Sequence, residues 1–276
     1  MNDPLYLFGL VPADTVIVPA GAGVDGVYPL EGLALGDLTA VVSTVSRWDF
    51  VGPEAEDHLR DLAWVGPRAL RHQAVVRDLM DQGPVIPVRF ATLFSDAEAP
   101  RARIVHHQAT LLAFLERTRD QAEWSVKALY DRKAALARIT ERALAGRQAE
   151  LTALTPGRRY FEEQKLRKAV ESELGMTLAE ACRQLYERLG ELATEACEVR
   201  LQAKEQSGLA LDMAANWAFL IARSALDEFR QRVDELSGDG NPGDLRLQLS
   251  GPWPPYSFSP RLDDNAIKLS VTGQQK

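Results

Sequence analysis

Alternation comes first along the chain. Leu5, Leu7 and Val11 keep even spacing with Gly9 between them, a period of two that predicts a half-buried strand over 5–11. Leu38 to Val45, rich in Val and Thr, predicts a second strand, and Val24-Asp25-Gly26-Val27 between the two carries an Asp-Gly turn signal. From Glu54 the period lengthens. Leu59, Leu62 and Ala63 share one helical face, Gly66-Pro67 is expected to break it, and Pro67 restarts a helix where its missing N–H costs nothing. Leu70, Val75, Val76, Leu79 and Met80 give that second helix its apolar side, and Gly83 ends it. Pro84 to Phe90 reads as a strand whose two prolines place it at a sheet edge or end. Ser95 or Asp96 then caps a helix bearing Ile104, Leu111, Leu112 and Leu115. Residues 1–118 make a complete α+β domain on this reading.

Past the polar run Arg117 to Gln121 the alternation returns. Trp124, Val126, Ala128 and Tyr130 face away from Glu123, Ser125 and Lys127, and Asp131 caps an alanine-rich helix. The longest helical tract is predicted from Tyr160 to about Lys204. In it Leu174, Leu178, Ala181, Leu185, Leu189, Leu192, Ala196 and Val199 recur at steps of three and four, the seam of a helix packed on another helix. Gly175, with Thr177 and Glu180 in capping-box spacing, marks a kink or restart. Met213, Ala215, Trp217, Phe219 and Ile221 form a strand face; Leu226, Phe229, Val233 and Leu236 a helix face; then come the Gly238 to Gly243 loop and a strand over 245–250. With a short strand near 199–208, residues 119–251 have the β-α-β-β-α-β order of a modified ferredoxin-like domain with an extended helical insertion. Pro252, Pro254 and Pro255 are expected to stop sheet pairing and hold Trp253 and Tyr256 on a stiff arm, which docks either its own domain or a partner. Residues 252–276 form a C-terminal tail in which Ile267, Leu269 and Val271 alternate as an edge strand would.

The fold class is therefore α+β with two domains, and a composition of 46% hydrophobic and 26% charged residues suits such cores. A net charge of −7 gives no reason to expect nucleic acid. No apolar run approaches a membrane span, and Met1-Asn2-Asp3-Pro4 lacks a secretory start, so the expected location is cytoplasmic, away from membranes. Cys182 and Cys197 sit 15 apart in the helical tract and read as reduced thiols.

The chain carries little recognisable chemistry. His58, His72, His106 and His107 lack the i, i+4 spacing of a metal site and read as surface or boundary residues. Arg68, Arg71, Arg77 and Arg89 either gather into an anion site or form a solvated basic face, the second being favoured. The glycine loops at 21–23 and 238–243 lack phosphate-binding patterns, no nucleophile elbow occurs, and Asp263-Asp264 lie in the tail. Trp64, Trp124 and Trp217 read as core residues. No catalytic, cofactor-binding or metal site is expected.

Four stretches together resemble the GvpL/GvpF family of gas vesicle proteins. They are Leu5-Tyr6-Leu7-Phe8-Gly9; Asp61 to Ala69 with His72 and Val75-Val76; Pro84-Val85-Ile86-Pro87-Val88-Arg89-Phe90 with Thr92-Leu93-Phe94-Ser95; and Gly251-Pro252-Trp253-Pro254-Pro255-Tyr256-Ser257-Phe258. Glu123-Trp124 with Val126-Lys127 is a shorter fifth. Three positions depart from the family pattern: Ala91 and Ser125 stand where the family tends to have glycine, and Gln73 where an acid often follows the histidine. Ala91 and Ser125 suggest that neither backbone needs a positive φ. The resemblance implies a non-enzymatic accessory protein of gas vesicle assembly, associated with the vesicle. Its implied partners are the small hydrophobic major shell protein (GvpA type) and other accessory proteins. Partner contact is expected near Pro84 to Ser95, along the long helix and at the arm, with Arg89, Phe90, Phe94, Trp253, Tyr256 and Phe258 as candidate residues. The competing reading is a cytoplasmic small-ligand sensor built on ferredoxin-like domains.

Overall fold

The computed structural model describes residues 3–15, 21–95, 99–201, 210–237 and 243–260. Asp96, the loop 238–242, most of the span near 199–208 and the tail with Asp263, Asp264, Ile267, Leu269 and Val271 lie outside them. By contacts the chain divides into two units, residues 1–123 with 252–276, and residues 124–251.

In the first unit, strand β1 (Leu5–Pro12) is central. It pairs antiparallel with β3 (Leu38–Thr44), which pairs with β2 (Glu31–Leu35); the short strands β4 (Ile86–Pro87) and β5 (Leu93–Phe94) both pair with β1. β4 lies at the sheet edge, as its prolines require. β1 does not keep one parity. The register shifts between Leu7 and Gly9, so Leu7 and Leu10 share one core cluster while Tyr6, Phe8 and Val11 share the other. Val11 therefore turns away from Leu5 and Leu7, against the even-spacing expectation, because a bulge adds one residue and inverts the faces beyond it. Gly9 beside the bulge has a steric cause: a Cβ there would lie 2.8 Å from the Ile86 carbonyl oxygen.

Helices α1 (Arg47–Phe50) and α2 (Pro53–Arg60) lead into α3 (Leu62–Gln82), which buries Val75, Val76, Leu79 and Met80 on the Tyr6–Phe8 face. α4 (Ala99–Thr118) covers the other face with Ile104, Leu111, Phe114 and Leu115. The expected break at Gly66-Pro67 does not occur. α3 starts earlier, where the Asp61 carboxylate accepts the Ala63 N–H at 2.9 Å, and runs through Pro67. Leu70, expected on the apolar side, is exposed, as is Leu62.

The second unit is a four-stranded sheet. Its strands are β6 (Gln121–Tyr130), β7 (Glu195–Glu198), β8 (Asp212–Ala222) and β9 (Arg246–Trp253), in the spatial order β7-β8-β6-β9. β8 is buried on both faces from Ala215 to Ile221. Helices α5 (Arg132–Thr152) and α6 (Pro156–Gly190) connect β6 to β7, and α7 (Leu226–Leu236) connects β8 to β9. Asp131 caps α5 through Ala134 N–H at 2.9 Å.

α6 packs on two helices, α5 and α7, as its seam leads one to expect, and on the strand β8 as well; Val170, Leu174, Leu178, Ala181, Leu185 and Leu189 are its buried residues. α6 stops at Gly190 and runs unbroken through the exposed Gly175; Ala196 and Cys197 belong to β7. β9 continues through Pro252 to Trp253, so pairing does not stop at the proline; a sheet edge tolerates the missing donor.

Candidate functional site

The stretch after β9 turns on itself. Tyr256 N–H donates to the Pro254 carbonyl at 2.7 Å and Ser259 Oγ to that of Pro255 at 2.8 Å, and Pro254 and Pro255 are buried. This turn aims Tyr256 at the Tyr6–Phe8 core and Phe258 at the Leu7–Leu10 core. The segment set apart in the sequence as the start of a tail is a packed part of the first unit.

At its centre lies His72. Side chains at spacing 72, 75, 76 and 79 face the sheet from α3, which puts the imidazole in the core at 3% exposure, not at a surface or boundary. Nε2 lies 3.1 Å from the Val88 carbonyl oxygen, which only accepts, so Nε2 carries the proton. Nδ1 then accepts from Tyr6 Oη at 2.9 Å, and Tyr6 Oη accepts the Ala91 N–H at 3.1 Å. Tyr256 Oη lies 3.3 Å from Nε2 and shares its proton. Phe8 stacks on the imidazole, with centroids 5.6 Å apart, and Phe90 meets it edge-on at 6.0 Å. Burial pushes the His72 pKa down to about 4, opposed by the Val88 bond. Burial also raises both phenols, Tyr256 to about 12.

A second clasp holds the same segment. Glu123 is buried, its Oε2 accepting the Ser257 N–H and its Oε1 the Ser257 hydroxyl, both at 2.8 Å. Burial raises its pKa above the ordinary carboxylate range, while the two Ser257 bonds pull it back.

The loop after β4 corrects the reading of Ala91. Its φ is +63°, a left-handed conformation that costs an L-residue roughly 1–2 kcal/mol, and it directs the Ala91 N–H at Tyr6. Ser125 sits in β6 without positive φ, as expected, and its hydroxyl lies 3.3 Å from Asn216 Oδ1.

The candidate residues divide by depth. Phe94 is buried in β5; Tyr256, Phe258 and Phe90 are half-buried against the cores; Trp253 is half-buried with the Arg77 guanidinium 5.7 Å from its ring; Arg89 is exposed. The arginines are engaged separately. Arg68 lies 3.9 Å over Trp64, Arg71 donates to the Val24 carbonyl at 3.4 Å, and Arg77 faces Trp253. Cys182 and Cys197 are half-buried free thiols, Cys182 raised to about 11 by burial and by Glu198. Among the described residues no group of three or more His, Cys, Asp or Glu is placed to hold a metal ion, and no helix is long and apolar enough to cross a membrane.

The sequence reading missed Tyr6, Glu123 and the core role of His72. The signal for His72 was its place one helical turn before Val75 and Val76, on the buried face of α3.

The family profile described as "Gas vesicle synthesis protein GvpL/GvpF" matches residues 4–260. "Gas vesicle protein L" of Streptomyces sp. (strain CB03234) is 29% identical over 270 residues, covering 98% of this chain and 97% of that protein. "Gas vesicle protein F" of the same strain is 30% identical over 263 residues, covering 92% and 98%. Crystal structures of GvpF from Anabaena sp. PCC7120 and from Microcystis aeruginosa share the fold, with TM-scores of 0.69 and 0.62 at 20% identity, each covering 94% of this chain and 99% of the other. The stretches that meet around His72, at Tyr6, at Val88 to Ala91 and at Tyr256, fall within a match that spans both units, and the chain belongs to the GvpL/GvpF family of gas vesicle synthesis proteins.

Proposed function

We propose that this chain is a non-enzymatic accessory factor of gas vesicle assembly that binds the hydrophobic major shell protein and keeps it assembly-competent. The observation that carries the reading is the family match over residues 4–260. The first unit supports a place for the contact. Tyr256 and Phe258 anchor the proline-stiffened segment, and Phe94 lies in the core behind it. Arg89, the outer edge of Phe90 and Trp253 are what a partner would meet, and prior ordering lowers the entropic cost of docking on them. The long helix α6 is a second contact surface on this proposal.

We also read the second unit as ferredoxin-like with an enlarged first connection. Its element order β6-α5-α6-β7-β8-α7-β9 and its strand order β7-β8-β6-β9 support that.

Co-expression with the major shell protein tests the function, following how much shell protein stays soluble and whether the two co-purify. Rescue into a complex is expected. A variant combining Arg89→Glu with Trp253→Ala should keep the parent's circular dichroism spectrum, melt somewhat lower for the lost half-buried ring, and lose the complex. Shell protein that aggregates as before, with nothing co-purifying, overturns the proposal; a complex that survives the double variant overturns the proposed contact.

A further inference from the structure

The α5–α6 hairpin has the opposite charge to its chain. Residues 132–170 hold ten of the 32 basic side chains but only four of the 39 acidic ones, a net of +6 in a chain of net −7, which leaves −13 elsewhere. Two of the four acids are engaged within it: Glu162 pairs with Lys165 and Arg147, and Glu163 with Arg159. Among the described residues Arg142, Arg158, Arg167 and Lys168 are exposed and without an acidic partner. No residue of 156–169 is buried, although Tyr160 and Phe161 stand among these cations with 60% and 68% of their surface exposed and their rings 6.1 Å apart, edge to face. Paired exposed aromatics ringed by unpaired cations have the make-up of an interface awaiting an acidic, partly apolar partner.

A surface of that description lies on the first unit. Residues 47–62 carry five acidic against two basic side chains. Trp48 and Leu62 are 65% and 83% exposed in this segment, and Glu56, Asp57 and Asp61 are exposed too, with Arg60 shared between the first two at 3.5 and 3.3 Å. Both surfaces repel their own kind and attract each other. We propose that the α5–α6 hairpin of one copy of this chain docks on the α1–α2 surface of a second copy, with Tyr160 and Phe161 against Trp48 and Leu62. Two such contacts related by a two-fold axis close a dimer. A nucleic acid fits the hairpin less well, because Glu141, Glu162 and Glu163 interrupt its cations and the rest of the chain repels phosphate. The inference is independent of the shell-protein reading.

Sedimentation of the full chain tests it, at about 0.1 M and about 1 M salt, between which the screening length falls from about 10 Å to about 3 Å. A concentration-dependent dimer is expected at the lower salt, with its Kd weakened tenfold or more at the higher. One variant reverses the hairpin (Arg158→Glu, Arg167→Glu, Lys168→Glu) and another the α2 surface (Glu56→Lys, Asp57→Lys). Each alone should be monomeric with an unchanged circular dichroism melt, and an equimolar mixture should associate again, since each reversed surface meets its opposite on the other variant. A chain that is monomeric at every salt and concentration overturns the proposal. So does a dimer that neither variant weakens, or a monomer whose hairpin captures single-stranded DNA or anionic lipid vesicles.

Discussion

Acid should loosen the first unit through one buried imidazole. His72 titrates near 6.5 in an unfolded chain and about 4 in place, so between these values the unfolded state holds a proton that the native state refuses. Stability from this group is complete above pH 6.5 and is lost as pH falls toward 4. A gap of 2.5 units at about 1.36 kcal/mol each comes to about 3 kcal/mol, of which roughly 2.5 has gone by pH 4.5. At 3% exposure solvent screening barely discounts the figure. Protonation is resisted by geometry too: a proton on Nδ1 would displace the Tyr6 hydroxyl hydrogen, and that oxygen already accepts the Ala91 N–H. Glu123 works the other way, since a raised carboxyl takes up its proton earlier in the native state and relieves it as pH falls. The assay is urea unfolding at steps from pH 7 to 4.5, comparing the parent with His72→Gln, which keeps a donor for Val88 but cannot titrate. The variant should be the less stable at pH 7 and should lack the acid slope, so that the difference between the two shrinks by about 2 kcal/mol on acidification. Parallel slopes would refute the reasoning, because they would mean that His72 titrates alike in both states.

Three further substitutions test the packing around this site. Ala91→Gly should stabilise by about 0.5 kcal/mol in the same assay, the left-handed strain of roughly 1–2 kcal/mol being relieved against an unfolded-state entropy cost of about 0.4–1. Gly9→Ala should cost about 1–3 kcal/mol, because the new methyl meets the Ile86 carbonyl at 2.8 Å and β4 must move. Ser257→Ala should cost about 1.5–3 kcal/mol near neutral pH and less in acid, where a protonated Glu123 has less need of the lost donor; a cost independent of pH would count against the clasp.

How much of this was legible depended on whether the pattern had one meaning. α4 and α7 followed their periods because one apolar face met the core, while β3 and the strand carrying Trp217 were found by their apolar, β-branched and aromatic content although both of their faces are buried. α6 shows the limit: a stripe at steps of three and four is the same whether a sheet or a helix covers it, and nothing in the period says that β8 joins α5 and α7 against it. β1 shows another, since a bulge inverts parity without any residue type announcing it, and here Gly9 was a sign of close approach by β4, visible only once Ile86 was in place. Pro67 was read by its usual role as a helix starter, yet the Asp61 cap came first and the proline fell inside the helix.

The site was partly legible in a different sense. Its stretches at Tyr6, His72, Val88 to Ala91 and Tyr256 run from one end of the first unit's sequence to the other, with His72 and Tyr256 alone 184 positions apart, and nothing local in any of them says that they meet. A tyrosine in an alternating strand and a histidine in a helix are ordinary residues until β1 and α3 are packed, and then a single imidazole, with two ring nitrogens, ties β1, the loop after β4 and the C-terminal segment together. The proline arm looked from sequence like a structure held out for a partner. Its tyrosine and Phe258 instead pack on the two core clusters of the first unit, and Trp253 lies half-buried beside Arg77. Any partner docking there would read a surface whose shape is set by His72 and Glu123 behind it. Weakening either clasp should therefore alter partner binding through loss of order in the arm, even though neither side chain reaches the surface.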